Sequence, residues 1–183
     1  DSARRHRLRS ENYAREMFPQ KPIPLPEKPL KKPERIRIGY FSSDFKKHPV
    51  AYLIAKVIKL HNRDKFKIFA YSLMDKKEDE LRKQLIKSFD VFKDVSEISD
   101  KEIALLSRKD KIDIAIDLNG YTQNARSGIF AYRAAPIQIN YLGFAGTMGA
   151  KFIDYIITDQ YLIPPDNRKY FTEKQLYLPN TFM

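Results

Sequence analysis

The chain has 183 residues, 43% of them hydrophobic, which is enough for one domain with a real core. No apolar run approaches the roughly 20 residues that span a bilayer, and the basic start, DSARRHRLRS, is not followed by the apolar stretch of a signal peptide. The absence of cysteine excludes disulfides, thiolate metal sites and cysteine nucleophiles, and fits a reducing cytoplasm.

The formal charge is +11, and residues 1–33 hold nine basic against four acidic residues. Such a balance favours anionic partners: nucleic acid, anionic lipid or a phosphorylated ligand. A solvated lysine-rich surface is the plainer account of it. No aromatic-basic signature of an RNA-binding fold is present, so nucleic acid is not the expected partner.

In chain order, residues 2–18 read as a helix. Leu8, Tyr13, Ala14, Met17 and Phe18 form a partial apolar stripe among arginines, marginal alone and therefore expected to pack on something. Residues 19–33 carry six prolines and read as an extended spacer. Arg35–Pro49, RIRIGYFSSDFKKHP, then alternates Ile36, Ile38 and Tyr40 with polar or small residues and turns polar at Ser42. This is a strand, a polar loop and the start of a helix, with Pro49 at the first helical position, where its missing N–H costs nothing. Within 50–61, Val50, Leu53, Ile54, Val57 and Ile58 have the spacing of one buried helical face.

The alternation continues. Residues 66–73 read as a strand. Asp75 to Glu78 resembles a capped helix start, with Leu81, Leu85, Ile86 and Phe89 as the inner face. Residues 89–95 are a weaker strand, and Ser99 with Glu102 forms a capping box ahead of another helix. Strands follow at 112–118, 137–144 and 152–158, with a short helix over roughly 123–132. From Pro164 the tail is loop-like, with a short apolar patch and no closing helix. Alternating strands and helices, with several strands apolar on both faces, predict a doubly wound, mostly parallel, Rossmann-like α/β sheet.

Parallel topology brings three loops to one edge: Ser42–His48, Asn119–Asn124 and Gly143–Gly149. They supply His48, Asp44, Asn119, Tyr121, Thr122 and three glycines. His48 can act as a base, because a helix N-terminus disfavours the imidazolium; a histidine that only ends the loop and bonds to backbone is the plainer alternative. The glycines let backbone approach a ligand closely, but their spacing is neither a P-loop nor G-x-G-x-x-G. Asp110, Asp113 and Asp117 are candidate carboxylates. Asp113 and Asp117 share a strand face with Ala115, so at least one should be buried or paired, whereas Asp110 belongs to the preceding turn. His6 and His61 read as structural or solvated. No His/Asp/Glu spacing suggests a metal site.

Together these loops resemble the protein O-linked N-acetylglucosamine transferase family, including its plant Spindly-type relatives. The matching residues are RIRIGYFSSDFKKHP (35–49), DLNGYTQNAR (117–126), RAAPIQINYLGFAGTMGAKFIDYIITD (133–159) and LPNTFM (178–183). The resemblance implies the N-terminal Rossmann-like lobe (34–183) of a two-lobed GT-B glycosyltransferase, with the C-terminal lobe missing. Residues 1–18 would be the end of a tetratricopeptide-repeat region and 19–33 a linker. It implies inverting transfer of N-acetylglucosamine from UDP-GlcNAc to Ser or Thr hydroxyls of proteins, with no metal or other cofactor. Spindly-type members use GDP-fucose, so both donors stay open. By the same resemblance His48 matches an active-site histidine, base or sugar contact. Asp110 falls near an aspartate regarded as an alternative base, and Leu142 and Gly143 match donor-sugar contacts. Ala145 replaces a usual proline, and Asp113 stands where animal enzymes carry a histidine. A lobe alone offers a proton path but little to hold a diphosphate, so the isolated chain is expected to fold without transferring sugar. The competing expectations are a non-catalytic flavodoxin-like binding or regulatory domain, in which His48 and Tyr121 would point apart, and a binder of acidic ligands or nucleic acid.

Overall fold

A computed structural model of the chain describes residues 2–25, 33–74 and 79–183. Seven strands form a single sheet: β1 (Ile36–Ser42), β2 (Phe66–Ser72), β3 (Val91–Asp94), β4 (Ile114–Asp117), β5 (Ile137–Asn140), β6 (Tyr155–Thr158) and β7 (Lys174–Tyr177). Their order is β3-β2-β1-β4-β5-β6-β7, and every neighbouring pair is parallel. The order reverses direction between β1 and β4. Crossovers therefore leave on opposite faces there, opening the crevice where ligands of such sheets bind.

Helices cover both faces. On one side α2 (Pro49–Leu60) and α3 (Glu80–Ser88) bury Ile54, Ile58 and Leu85 with Ile38, Ile68 and Ile116 of the sheet. On the other, α1 (Ala3–Met17), α4 (Asp100–Lys109) and the short α5 (Gly128–Ala131) contribute Ala14, Ile103 and Phe130 around Phe41 and Tyr71, whose rings stack at 4.4 Å. The Ser99–Glu102 capping box forms as the sequence predicts, each side chain bonding to the other residue's backbone N–H.

Several expectations change. Leu53 and Val57 are 45% and 41% exposed, so the buried face of α2 is Val50, Ala51, Ile54 and Ile58. The sequence spacing fitted both sets because α2 is apolar over more than half its circumference. The 123–132 helix shrinks to Gly128–Ala131, because Asn124 takes a left-handed φ of 62° and breaks the run. The 137–144 strand ends at Asn140, with Leu142 at φ 75°. The tail forms a 3-10 turn (Pro165–Tyr170) and then β7 on the sheet edge. Helix α3 is capped by Asp79, whose side chain accepts the Arg82 N–H; the Asp75–Glu78 start lies outside the described residues, as does the spacer over 26–32.

The first helix packs on the lobe itself. His6 Nε2 lies 3.2 Å from the Thr147 carbonyl, and Arg7 donates to the Lys169 carbonyl at 2.6 Å. Gly149, at φ 62°, admits it: any Cβ there would collide with the backbone of Ser10 and Glu11. The described part of the spacer also lies on the lobe, with Ile23 N–H bonding to Tyr132 and Arg108 donating to the Pro24 carbonyl.

Candidate active site

The sheet brings the three predicted loops together at its C-terminal edge. A cleft of about 260 Å³ is lined by Asp44, Lys46, His48 and Val50 after β1, Thr122, Gln123 and Asn124 after β4, and Gly143 after β5. It sits over the β1/β4 reversal point.

Asn119 is the hub beneath it, 1% exposed. Its Oδ1 accepts the Ser43 N–H at 2.9 Å, and its Nδ2 donates to Ser43 Oγ and Asp44 Oδ2, both at 2.8 Å. One amide thus welds the β1 and β4 loops together. Asp44 in turn stands 3.8 Å from His48 Nδ1, too far for a hydrogen bond. His48 Nδ1 instead accepts the Val50 N–H at 3.3 Å, making His48 the N-cap of α2. In the neutral ring this places the proton on Nε2.

On the third loop, Gly143 N–H bonds back to the Tyr141 carbonyl at 3.0 Å around Leu142. With Leu142 at positive φ this is the rare γ-turn, a strained backbone at the rim of the cleft. Gly143 passes so close to the Leu118 carbonyl that no side chain fits. Leu142 packs partly against the α2-side core.

Not every expected residue joins the cleft. Tyr121 turns away from His48 to the far side of its loop, into a second cavity of about 440 Å³ between α1 and the lobe. That is the arrangement expected of the non-catalytic alternative, so Tyr121 lends sugar transfer no support. Its ring meets Tyr13 at 4.9 Å and Phe144 at 5.6 Å, and its hydroxyl is buried without a partner among the described residues. Burial, with Tyr13, Glu173 and Asp117 nearby, keeps that hydroxyl protonated far above neutral pH. Asp110 is placed at the opposite end of the sheet, after α4 and before β4. There it accepts from Tyr71 at 2.7 Å and from Lys93 at 2.6 and 2.7 Å. His61 bonds to the Tyr40 hydroxyl at 2.8 Å, and burial, then Arg63, lowers its pKa. Asp113, just before β4, accepts the Arg37 N–H through Oδ2, and Asp117 is buried at the end of β4, its Oδ1 accepting the Asn119 and Gly120 N–H groups.

Sequence reasoning did not single out Lys46, Gln123 or Asn124. The loop positions were legible, but which members of each loop reach the cleft depends on Asn124 taking positive φ, which no local pattern announces.

The sequence profile of glycosyl transferase family 41 matches residues 3–183. The chain belongs to that family. Among relatives, it is 43% identical over 149 residues to the probable UDP-N-acetylglucosamine--peptide N-acetylglucosaminyltransferase SEC of Arabidopsis thaliana, covering 81% of this chain and 15% of the relative. It is 42% identical over 150 residues to the Caenorhabditis elegans UDP-N-acetylglucosamine--peptide N-acetylglucosaminyltransferase, covering 81% and 13%. The Arabidopsis protein with the same probable activity named SPINDLY is 40% identical over 158 residues, covering 84% and 17%. A solved Thermobaculum terrenum O-GlcNAc transferase variant superimposes with a TM-score of 0.92 at 32% identity, over 99% of this chain and 35% of that one. The family 41 chain therefore has the fold of a GT-B catalytic lobe and spans only a small part of its curated relatives. Among the described residues no helix is long and apolar enough to cross a membrane, and no cluster of three or more His, Cys, Asp or Glu is placed to hold a metal.

Proposed function

We propose that this lobe forms one wall of the sugar-transfer site of a protein O-GlcNAc transferase, moving N-acetylglucosamine from UDP-GlcNAc to Ser or Thr hydroxyls of an acceptor protein with inversion. The observation that supports this best is the cleft itself: His48, Thr122 and Gly143, from three separate loops, line one hollow at the reversal point of the sheet. A second lobe supplies the other wall and most of the diphosphate contacts. In this lobe Lys46 is the cationic side chain on the cleft.

The chemistry is a single displacement. The acceptor oxygen attacks the anomeric carbon, the bond from that carbon to the diphosphate breaks, and the hydroxyl proton passes to a base. His48 fills that role only by changing tautomer. With Nδ1 bonded to the Val50 N–H, Nε2 carries hydrogen and can donate to a sugar or phosphate oxygen. A small ring movement toward Asp44 would place the proton on Nδ1, leaving the Nε2 lone pair for the acceptor. Asn119 holds Asp44 ready for this. Leu142 and Gly143 present backbone to the donor sugar. We assign Asp110, bonded to Lys93 and Tyr71 before β4, a structural role.

The test uses the complete enzyme that carries this lobe. His48→Ala should lower kcat by about 10²–10⁴ with the circular dichroism spectrum unchanged, whereas transfer at the wild-type rate would sink the assignment. Parallel assays with UDP-GlcNAc and GDP-fucose on one acceptor peptide decide the donor, and turnover of GDP-fucose alone would overturn the donor named here.

A further inference from the structure

Asp117 is the last residue of β4, and Asn140, in register with it, is the last of β5. Strand alternation sends both side chains to one face, and both are buried, at 2% and 0% exposure. Asp117 Oδ1 accepts the N–H groups of Asn119 and Gly120 at 2.9 and 3.1 Å. Asn140 Nδ2 donates to the Phe144 carbonyl at 3.0 Å. Two oxygens are left over, Asp117 Oδ2 and Asn140 Oδ1, each buried with no hydrogen-bond partner among the described residues. They belong to one small space: Gly120, whose N–H bonds to Asp117, has its missing Cβ position 3.2 Å from Asn140 Oδ1.

A buried acceptor without a donor is costly, and two together repel. One proton cures both defects. We propose that Asp117 is held as a neutral acid that donates to Asn140 Oδ1, tying the ends of β4 and β5 together and, through Asn119, positioning the loops that make the His48 cleft. Only this last, functional part rests on the sugar-transfer reading. Burial pushes the Asp117 carboxyl up to about 6, opposed by the Asn119 and Gly120 N–H bonds. A hydrogen bond that belongs to the protonated form raises it further. Turning the Asn140 amide over offers no escape, because its oxygen would then face the Phe144 carbonyl.

Among the described residues, the ionisable groups on the surrounding elements do not neutralise an Asp117 carboxylate. After β1, Asp44 shares Asn119 with it. On its own loop, Tyr121 is buried and stays protonated. Before β7, Glu173 is occupied by the Thr147 hydroxyl and the Met148 N–H. From α1, His6 lies against Phe144. Asp117 is thus a positioning residue, one step removed from the groups that line the cleft.

The experiment is a carboxyl ¹³C NMR titration of the 183-residue chain, with Asp117→Asn identifying the resonance. The expected midpoint is at about 6 or above. A midpoint in the ordinary aspartate range, about 3.9, overturns the proposal, as it would if a trapped water satisfied both oxygens. Asn140→Ala should lower the midpoint, and an unchanged value overturns the pairing. Asp117→Asn, whose amide can donate where the acid did, should keep the Asn119 side-chain and Gly143 amide signals in place, while Asp117→Ala moves them. Equal disturbance by both variants overturns the positioning role. Should Asp117→Ala not fold, the Asn variant and Asn140→Ala still decide. Failure of the complete enzyme to transfer sugar would count against the proposed function and leave the titration midpoint untouched.

Discussion

At His48 the decisive detail is which ring nitrogen is occupied. Capping α2 through Nδ1 stabilises the helix start, and it fixes a tautomer suited to donating rather than accepting a proton. Loop organisation falls to Asn119, whose amide bonds to Ser43 and Asp44 while fully buried. Asn119→Ala should therefore destabilise the chain by about 2–3 kcal/mol in urea unfolding, because the Ser43 N–H is left buried and unpaired. It should also weaken transfer in the complete enzyme; stability within about 0.5 kcal/mol of wild type would show that the loops do not depend on it. Asp117 gives a second, pH-dependent expectation. Its ordinary value is 3.8 and its folded value about 6. Its contribution is present in full below 3.8 and is lost as pH rises toward the folded value, an effect of at most about 3 kcal/mol. His61 runs the other way, since a lowered histidine pKa costs stability as pH falls below 6.5. Asp117→Asn should remove only the first slope, and a melting profile from pH 4 to 6 unchanged by that substitution would refute the assignment. The chemistry-bearing residue types were legible in the sequence. Their pairing was not, because Asn119 reaches Ser43 and Asp44 across more than 70 positions of chain.

Helix α2 shows the same limit for an element. Its sequence is apolar around enough of its circumference that Val50, Leu53, Ile54, Val57 and Ile58 read as one face, yet Leu53 and Val57 are exposed and Ala51 is buried in their stead. Periodicity finds the helix but leaves its rotation undetermined when both candidate faces are apolar. Ile54→Ala should then cost about 2–5 kcal/mol, while Leu53→Lys should stay within about 0.5 kcal/mol. Equal losses from the two, measured by denaturant midpoint, would mean that the helix is rotated from the placement described. The edge strand β7 was missed for a different reason. KQLY is a four-residue strand with exposed Lys174 and Leu176, too short and too polar to declare itself before β6 offers an edge to pair with.

For the molecule as a whole, the cleft sits at the β1/β4 reversal point, and the chain spans only a small share of its relatives. It covers 35% of the solved relative and 13–17% of the curated transferases described above. The cleft is open and small, about 260 Å³, against the several hundred that enclose a typical small-molecule ligand. The 183-residue chain alone should therefore fold and melt cooperatively, yet give no UDP-sugar-dependent glycosylation of a peptide. Transfer by the isolated chain, read by mass spectrometry of the peptide, would show that a second wall is not needed. The charge of +11 is not gathered at the cleft, where Lys46 stands with Asp44, so it speaks for the surface rather than for the ligand.

Sequence by itself determined the alternation of strand and helix, the parallel sheet, the three loops at one edge and the family. Each of these rests on local periodicity or on contiguous motifs, and such patterns survive without knowledge of what lies across the sheet. Only the tertiary structure decided that Tyr121 leaves the cleft for α1, that Asp110 bonds to Tyr71 and Lys93, and that Asp117 and Asn140 meet without a donor between them. Those outcomes are set by register and burial between strands remote in sequence, where the deficit of a single proton becomes visible only after both side chains have lost their water.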